Sequence, residues 1–199
     1  MVFINANDSA MGNSNFERNK LDFYPTPEWI TEAVVSELKN NYVDYNTFMW
    51  EPACGEGHIS RILHKYFMNV MSTDIADYNY AGQAFAIRNF LDHKQIMQPN
   101  SCIITNPPYG KIAELFIRHA LEILPDDGVC VFLMRNEYDC AKTRVDLFRN
   151  PAFCKKLILT TRPKWIENSD GSPRHNYSWY IWDKRNNGKP PVIKYHVKD

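Results

Sequence analysis

Residues Gly128–Met134 read GVCVFLM, an apolar run without polar alternation. A strand with one wetted face would alternate, so this one is expected to be covered on both faces, in a mostly parallel sheet between helical layers. The flanking chain carries the helices such a sheet needs. Lys111–Leu124 sets Ala113, Phe116, Ile117, Ala120, Leu121 and Leu124 at i, i+3, i+4 spacing, one apolar stripe along a helix. Gly57–Tyr66 repeats the pattern with Ile59, Ile62 and Leu63. Further strands are expected at Thr47–Glu51, Asn69–Asp74, Ala84–Phe90 and Ser101–Thr105, and later near Lys156–Thr161 and Ser178–Trp182. Asp139–Phe148 reads as a weaker helix. Strands alternating with helices predict an α/β, Rossmann-like sandwich with its sites at the carboxyl ends of the strands.

A chain of 199 residues, 44% hydrophobic and 23% charged, is the size and composition of one globular domain. That domain is expected over residues 21–199, behind an arm (residues 1–20) that holds five Asn and little apolar periodicity. No apolar run reaches the roughly 20 residues of a membrane span, and the N-terminal residues lack a signal-peptide pattern. The five cysteines are odd in number and contain no CxxC, against a disulfide scaffold or a structural zinc site. A cytoplasmic protein without a metal is the expectation. Net charge is zero, yet uneven: from Lys142 onward, 13 Lys/Arg face 5 Asp/Glu. A basic half suits a face that meets phosphates, although a solvated surface would read the same.

Two motifs carry chemistry. Glu51-Pro52-Ala53-Cys54-Gly55-Glu56-Gly57 follows the first strand. Gly55 and Gly57 permit a tight turn and close approach of a ligand to the main chain. Glu51 and Glu56 would repel a pyrophosphate and suit a cationic or polyhydroxylated ligand such as S-adenosylmethionine. A plain strand-to-helix turn reads similarly from this motif alone. Asp74, ending the next strand, can accept both hydroxyls of a ribose; a helix N-cap is its other reading. Thr105-Asn106-Pro107-Pro108-Tyr109-Gly110 ends the strand at Ser101–Thr105. Its prolines remove two N–H donors and leave carbonyl acceptors. With the Asn106 side chain and the flat Tyr109 beside them, these acceptors suit a planar base bearing an amine.

With both motifs in this order, the sequence resembles the S-adenosylmethionine-dependent adenine-N6 DNA methyltransferases, from about Asp22 to Lys184. EPACGEG is similar to the family's first cofactor motif and TNPPYG to its catalytic motif. The segment Tyr24–Trp29 (YPTPEW) resembles the part that contacts the methionine moiety, here through Tyr24, Thr26 and Pro27. Ser72–Ile75 (STDI) resembles the ribose motif, with Asp74 and Ile75. Asn89-Phe90-Leu91 stands where the family has Asp-Phe-Leu around the cofactor's adenine, and the Asn89 oxygen can still accept from an amine. The likeness is nearest to compact phage and prophage enzymes, and no separate target-recognition domain is expected.

The resemblance implies a cofactor site of Tyr24, Thr26, Pro27, Glu51, Pro52, Ala53, Gly55, Gly57, Asp74, Ile75, Asn89 and Phe90. It implies a catalytic loop of Asn106, Pro107, Pro108 and Tyr109, acting on adenine flipped from double-stranded DNA. Arg162, Lys164 and Arg174 are candidates for phosphate contacts. Trp165 is a candidate second aromatic over the base, with core packing equally open. Trp179 and Trp182 read as core, and His58 and His64 as surface or cap residues. RNA adenine is the alternative substrate. A non-catalytic nucleic-acid-binding protein of the same fold is the alternative class.

Overall fold

A computed structural model describes residues 24–84, 88–165 and 172–198; the expected N-terminal arm lies outside them. Seven strands form one sheet: β1 (Phe48–Glu51), β2 (Asn69–Ser72), β3 (Ser101–Thr105), β4 (Val129–Arg135), β5 (Phe153–Leu159), β6 (Tyr177–Asp183) and β7 (Val192–His196). Their order is β2-β1-β3-β4-β6-β5-β7. β6 runs against both its neighbours, β4 and β5, and every other pairing is parallel. The sheet is thus mixed, with six strands in one direction. Helices α1 (Glu28–Asn41) and α2 (His58–Tyr66) cover one face, while α3 (Lys111–Ile123) and α4 (Val145–Arg149) cover the other.

β4 bears out the apolar run. Val129, Val131 and Leu133 enter the core under α1 and α2, whereas Cys130, Phe132 and Met134 enter the opposite one. Three tryptophans fill the sheet interior, and each indole N–H finds an acceptor. Trp50 donates to Thr73 Oγ1 at 2.9 Å, Trp179 to the Ile30 carbonyl at 2.8 Å and Trp182 to the Leu147 carbonyl at 3.0 Å. Trp179 and Trp182 are core residues, as expected.

Two expectations need correction. The strand expected over Ala84–Phe90 is not formed by its described residues, and 85–87 lie outside the description. Ala84 and Arg88 donate main-chain bonds to Ser72 and Asp74. The Asn89 side chain then accepts from the Leu91 N–H at 3.2 Å and starts a 3-10 turn, Phe90–Asp92. The helix expected over Asp139–Phe148 is broken into two 3-10 turns and the short α4, because Ala141 is extended (ψ 129°). α1 and β7 went unread. Ile30, Val34 and Leu38 stripe α1 at i, i+4 spacing and are fully buried. β7 is exposed on both faces and gives no alternation to read. Among the described residues no helix is long and apolar enough to cross a membrane.

Candidate active site

Strand order reverses between β1 and β3: from β1 the sheet grows one way to β2, and from β3 the other way to β4. Such a switch point leaves a crevice at the strand ends. Both motifs fall there, around a cavity of about 180 Å³.

The turn after β1 is built from main-chain hydrogen bonds. Cys54 N–H donates to the Thr73 carbonyl at 3.0 Å, and Gly57 N–H to the Cys54 carbonyl at 2.7 Å. Gly55 (φ 50°) and Gly57 (φ 80°) take left-handed conformations, and a Cβ on Gly57 would sit 2.5 Å from the Tyr80 ring. Alanine at Gly57 is therefore strained by its backbone conformation and would push the Tyr80 ring aside. The freed Gly55 N–H donates to Asp74 Oδ2 at 2.8 Å, and Ala76 N–H to Oδ1 at 3.1 Å. Asp74 is held by amides from both sides of the crevice and caps no helix.

Glu51 lies beneath this turn, 2% exposed, and accepts from the Ser60 hydroxyl. Burial pushes its carboxyl well above the ordinary carboxylate range, and the neighbouring Asp74 charge adds to the rise, against the Ser60 bond. Asp74 is also raised by burial, with its amide bonds holding it back. The cavity accordingly presents two carboxyls short of counter-charge. A cationic or hydroxyl-bearing ligand would satisfy them.

The second motif meets the first through Thr26. Asn106, just after β3, donates its Nδ2 to Thr26 Oγ1 at 3.1 Å and to the Tyr24 carbonyl at 3.5 Å. Thr26 is 3% exposed, so this tether is dry. Fixing Nδ2 fixes the amide plane and turns Oδ1 toward the loop. There Oδ1 accepts the Tyr109 hydroxyl at 2.7 Å. The Tyr109 ring packs between Tyr24 (6.2 Å) and Tyr177 (6.1 Å), and Trp165 closes on Tyr177 (4.9 Å) and Tyr24 (6.2 Å). Burial pushes the Tyr109 hydroxyl well up. Gly110 (φ 92°) ends the loop and opens α3.

Of the residues singled out from sequence, Tyr24, Thr26, Glu51, Pro52, Ala53, Gly55, Asp74, Ile75, Asn89, Phe90, Asn106 and Pro108 line the cavity. Pro27, Gly57, Pro107 and Tyr109 stand behind or beside it. Trp165 joins the tyrosine cluster half-buried. Arg162, Lys164 and Arg174 are exposed, and residues 166–171 of their loop lie outside the description. The surface reading of His58 is corrected: as the first residue of α2 it is half-buried in the cavity wall, whereas His64 is exposed. Sequence reasoning missed Tyr78, Arg88, Ile112 and Phe116 in that wall. The last two were legible as the first turns of the helix after TNPPYG; Tyr78 and Arg88 left no signal.

No family profile matches this sequence, and no curated protein matches it. Its likenesses are structural. A candidate RNA methyltransferase from Pyrococcus horikoshii superposes with a TM-score of 0.65 at 15% identity, over 86% of this chain and 93% of that one. A candidate class I S-adenosylmethionine-dependent methyltransferase from Listeria monocytogenes gives 0.62 at 15%, over 86% of this chain and 65% of that one. The methyltransferase subunit of a type I restriction-modification system from Streptococcus thermophilus gives 0.63 at 13%, over 87% and 47%. The chain thus spans about two thirds and about half the length of the last two. At such identities the likeness establishes architecture: the chain has the Rossmann-like fold seen in these methyltransferases.

Proposed function

We propose that the protein transfers a methyl group from S-adenosylmethionine to the N6 amine of adenine in DNA. The observation that carries this reading is the tethered Asn106, whose amide is locked by Thr26 so that Oδ1 faces the loop at the cavity rim, where the Tyr109 hydroxyl now holds the acceptor position. The cavity fits the cofactor by its chemistry. Glu51 is matched to an ammonium, Asp74 retains lone pairs for ribose hydroxyls beyond its two amide bonds, and Phe90 with Phe116 offers apolar wall to an adenine ring. When bound, S-adenosylmethionine supplies a methyl group activated by a sulfonium.

Everything else falls to the protein. Adenine N6 is a weak nucleophile because its lone pair is delocalised into the ring. Asn106 Oδ1, on exchanging the Tyr109 hydroxyl for an N6 hydrogen, favours a pyramidal nitrogen and stabilises the positive charge that grows on it. The Pro107 carbonyl is assigned the second N6 hydrogen. The Tyr109 ring, freed from its hydrogen bond, becomes the stacking surface for the extruded base. The sulfonium would release its methyl group to N6 and keep the electron pair of that bond, and the surplus N6 proton would pass to water. Holding N6 in line with the methyl supplies the remaining acceleration.

RNA adenine is the second reading, favoured by the length match to the Pyrococcus horikoshii protein. Incubation with labelled S-adenosylmethionine and, in parallel, unmethylated DNA and structured RNA decides between them after nucleoside analysis. N6-methyladenine from DNA is expected. Label only in RNA would replace the substrate, and cofactor binding without any transfer would favour a binding protein.

A further inference from the structure

At the same rim, beyond the tyrosine cluster, three guanidinium groups converge. Arg135 ends β4 directly opposite Tyr177 in the β4–β6 ladder. The next residue, Asn136, donates its N–H to the Asn176 carbonyl at 2.9 Å. Arg162, after β5, donates Nε to Asn176 Oδ1 at 2.9 Å and Nη1 to the Pro173 carbonyl at 3.4 Å. Arg174 is two residues from Asn176, and His175 stands between them. All three cations act on the His175 imidazole: burial first, then Arg135, Arg174 and Arg162, lower its pKa against the opposing Glu137. Among the described residues the one carboxylate in ion-pair range of the trio is Glu137, 59% exposed and 3.8 Å from Arg135.

Arg135 differs from the other two. Its side chain is only 17% exposed, and its Nη2 is enclosed without a hydrogen-bond partner. A guanidinium so placed is poorly hydrated. Nearby like charges with neutral acceptors are a cost that an anion at the exposed edge would offset. We propose that Arg135, with Arg162 and Arg174, grips the phosphodiester beside the nucleotide whose base enters the tyrosine cluster. The inference rests on the nucleic-acid reading above and adds Arg135 as the anchor that fixes the strand against the Tyr109 loop.

The test is binding of a labelled adenine-containing oligonucleotide, single- and double-stranded, across a series of KCl concentrations. Arg135→Gln is expected to weaken binding about tenfold and to reduce the slope of log affinity against log salt by about 0.7–0.9, one phosphate contact. Arg135→Lys should keep the slope. Exposed Arg162→Gln and Arg174→Gln should each lose part of it, and exposed Arg149→Gln, on α4, none. S-adenosylmethionine affinity should match wild type throughout. Inorganic phosphate should displace the oligonucleotide no better than chloride at equal ionic strength; better displacement means a small-anion site and overturns the proposal. An unchanged slope in Arg135→Gln alongside wild-type oligonucleotide binding overturns the anchor alone. Wild-type protein that binds neither strand form overturns both the anchor and the reading beneath it.

Discussion

The turn after β1 and the loop after β3 are neighbours built on opposite plans. The first leaves its polar groups facing an open cavity: two buried carboxyls, one held by the amides of Gly55 and Ala76. The second is closed on itself, with Asn106 Oδ1 taken by the Tyr109 hydroxyl and the Tyr109 ring taken by other aromatics. The first half is therefore open as it stands, whereas the second would have to exchange internal contacts for external ones to take a ligand. On the proposed reading a ligand order is expected: the cofactor would enter a formed site, and the base would displace a hydroxyl.

The largest effect should come from removing the group at the junction of the two halves. Asn106→Ala is expected to lower single-turnover methyl transfer by about 10²–10³-fold, with S-adenosylmethionine affinity preserved by calorimetry. A loss confined to cofactor affinity would place Asn106 in the wrong half.

Glu51→Gln comes next. Losing a charge-assisted contact should weaken cofactor binding by about 10–100-fold. The empty protein should become more stable. A carboxyl whose folded pKa is raised stabilises the fold below its unfolded pKa, and that contribution is lost as pH rises through the folded value. At neutral pH the wild type carries this burden and the Glu51→Gln variant does not, so thermal melting should shift upward by a few degrees. For the same reason wild-type cofactor affinity should rise with pH as binding expels the Glu51 proton. A pH-independent affinity would show that no ligand cation meets this carboxyl.

Two Tyr109 variants probe the closed half. Tyr109→Ala should cost about 1–3 kcal/mol of oligonucleotide binding through lost stacking. Tyr109→Phe keeps the ring and releases Asn106 Oδ1. With no internal bond to exchange, oligonucleotide binding should tighten by about two- to tenfold, read by fluorescence anisotropy. Weaker binding by the Phe variant would mean that the hydroxyl itself contacts the substrate.

The two halves were also unequally legible. The run at Gly128–Met134 and the stripe of α3 placed the sheet and its covering, because burial on both faces leaves a periodic trace. Residues of the cavity wall were found where they lay inside motifs. Thr26 was singled out, but its bond to Asn106 crosses 80 residues and no local pattern could disclose it. The broken helix after β4 shows the converse. Its composition favoured a helix, yet a local bond from Arg144 Nε to the Tyr138 carbonyl at 3.0 Å supports a folded-back turn instead. Arg135 carried no trace either, since its place depends on the reversed strand beside it.

That reversal has a bearing on how such a protein changes its targets. Because β6 runs against the rest, β5 ends and β6 begins at the rim that bears the Asn106 loop, and Arg162, Trp165 and Arg174 lie between those two strands. A connection of this kind is anchored at both ends by neighbouring strands, and lengthening it twofold adds only about 0.6 kcal/mol of closure entropy. Its described residues carry no strand of the sheet. New lengths and sequences can therefore be tried at the place where substrate would be read, while the Asn106 loop and its tether to Thr26 stay untouched.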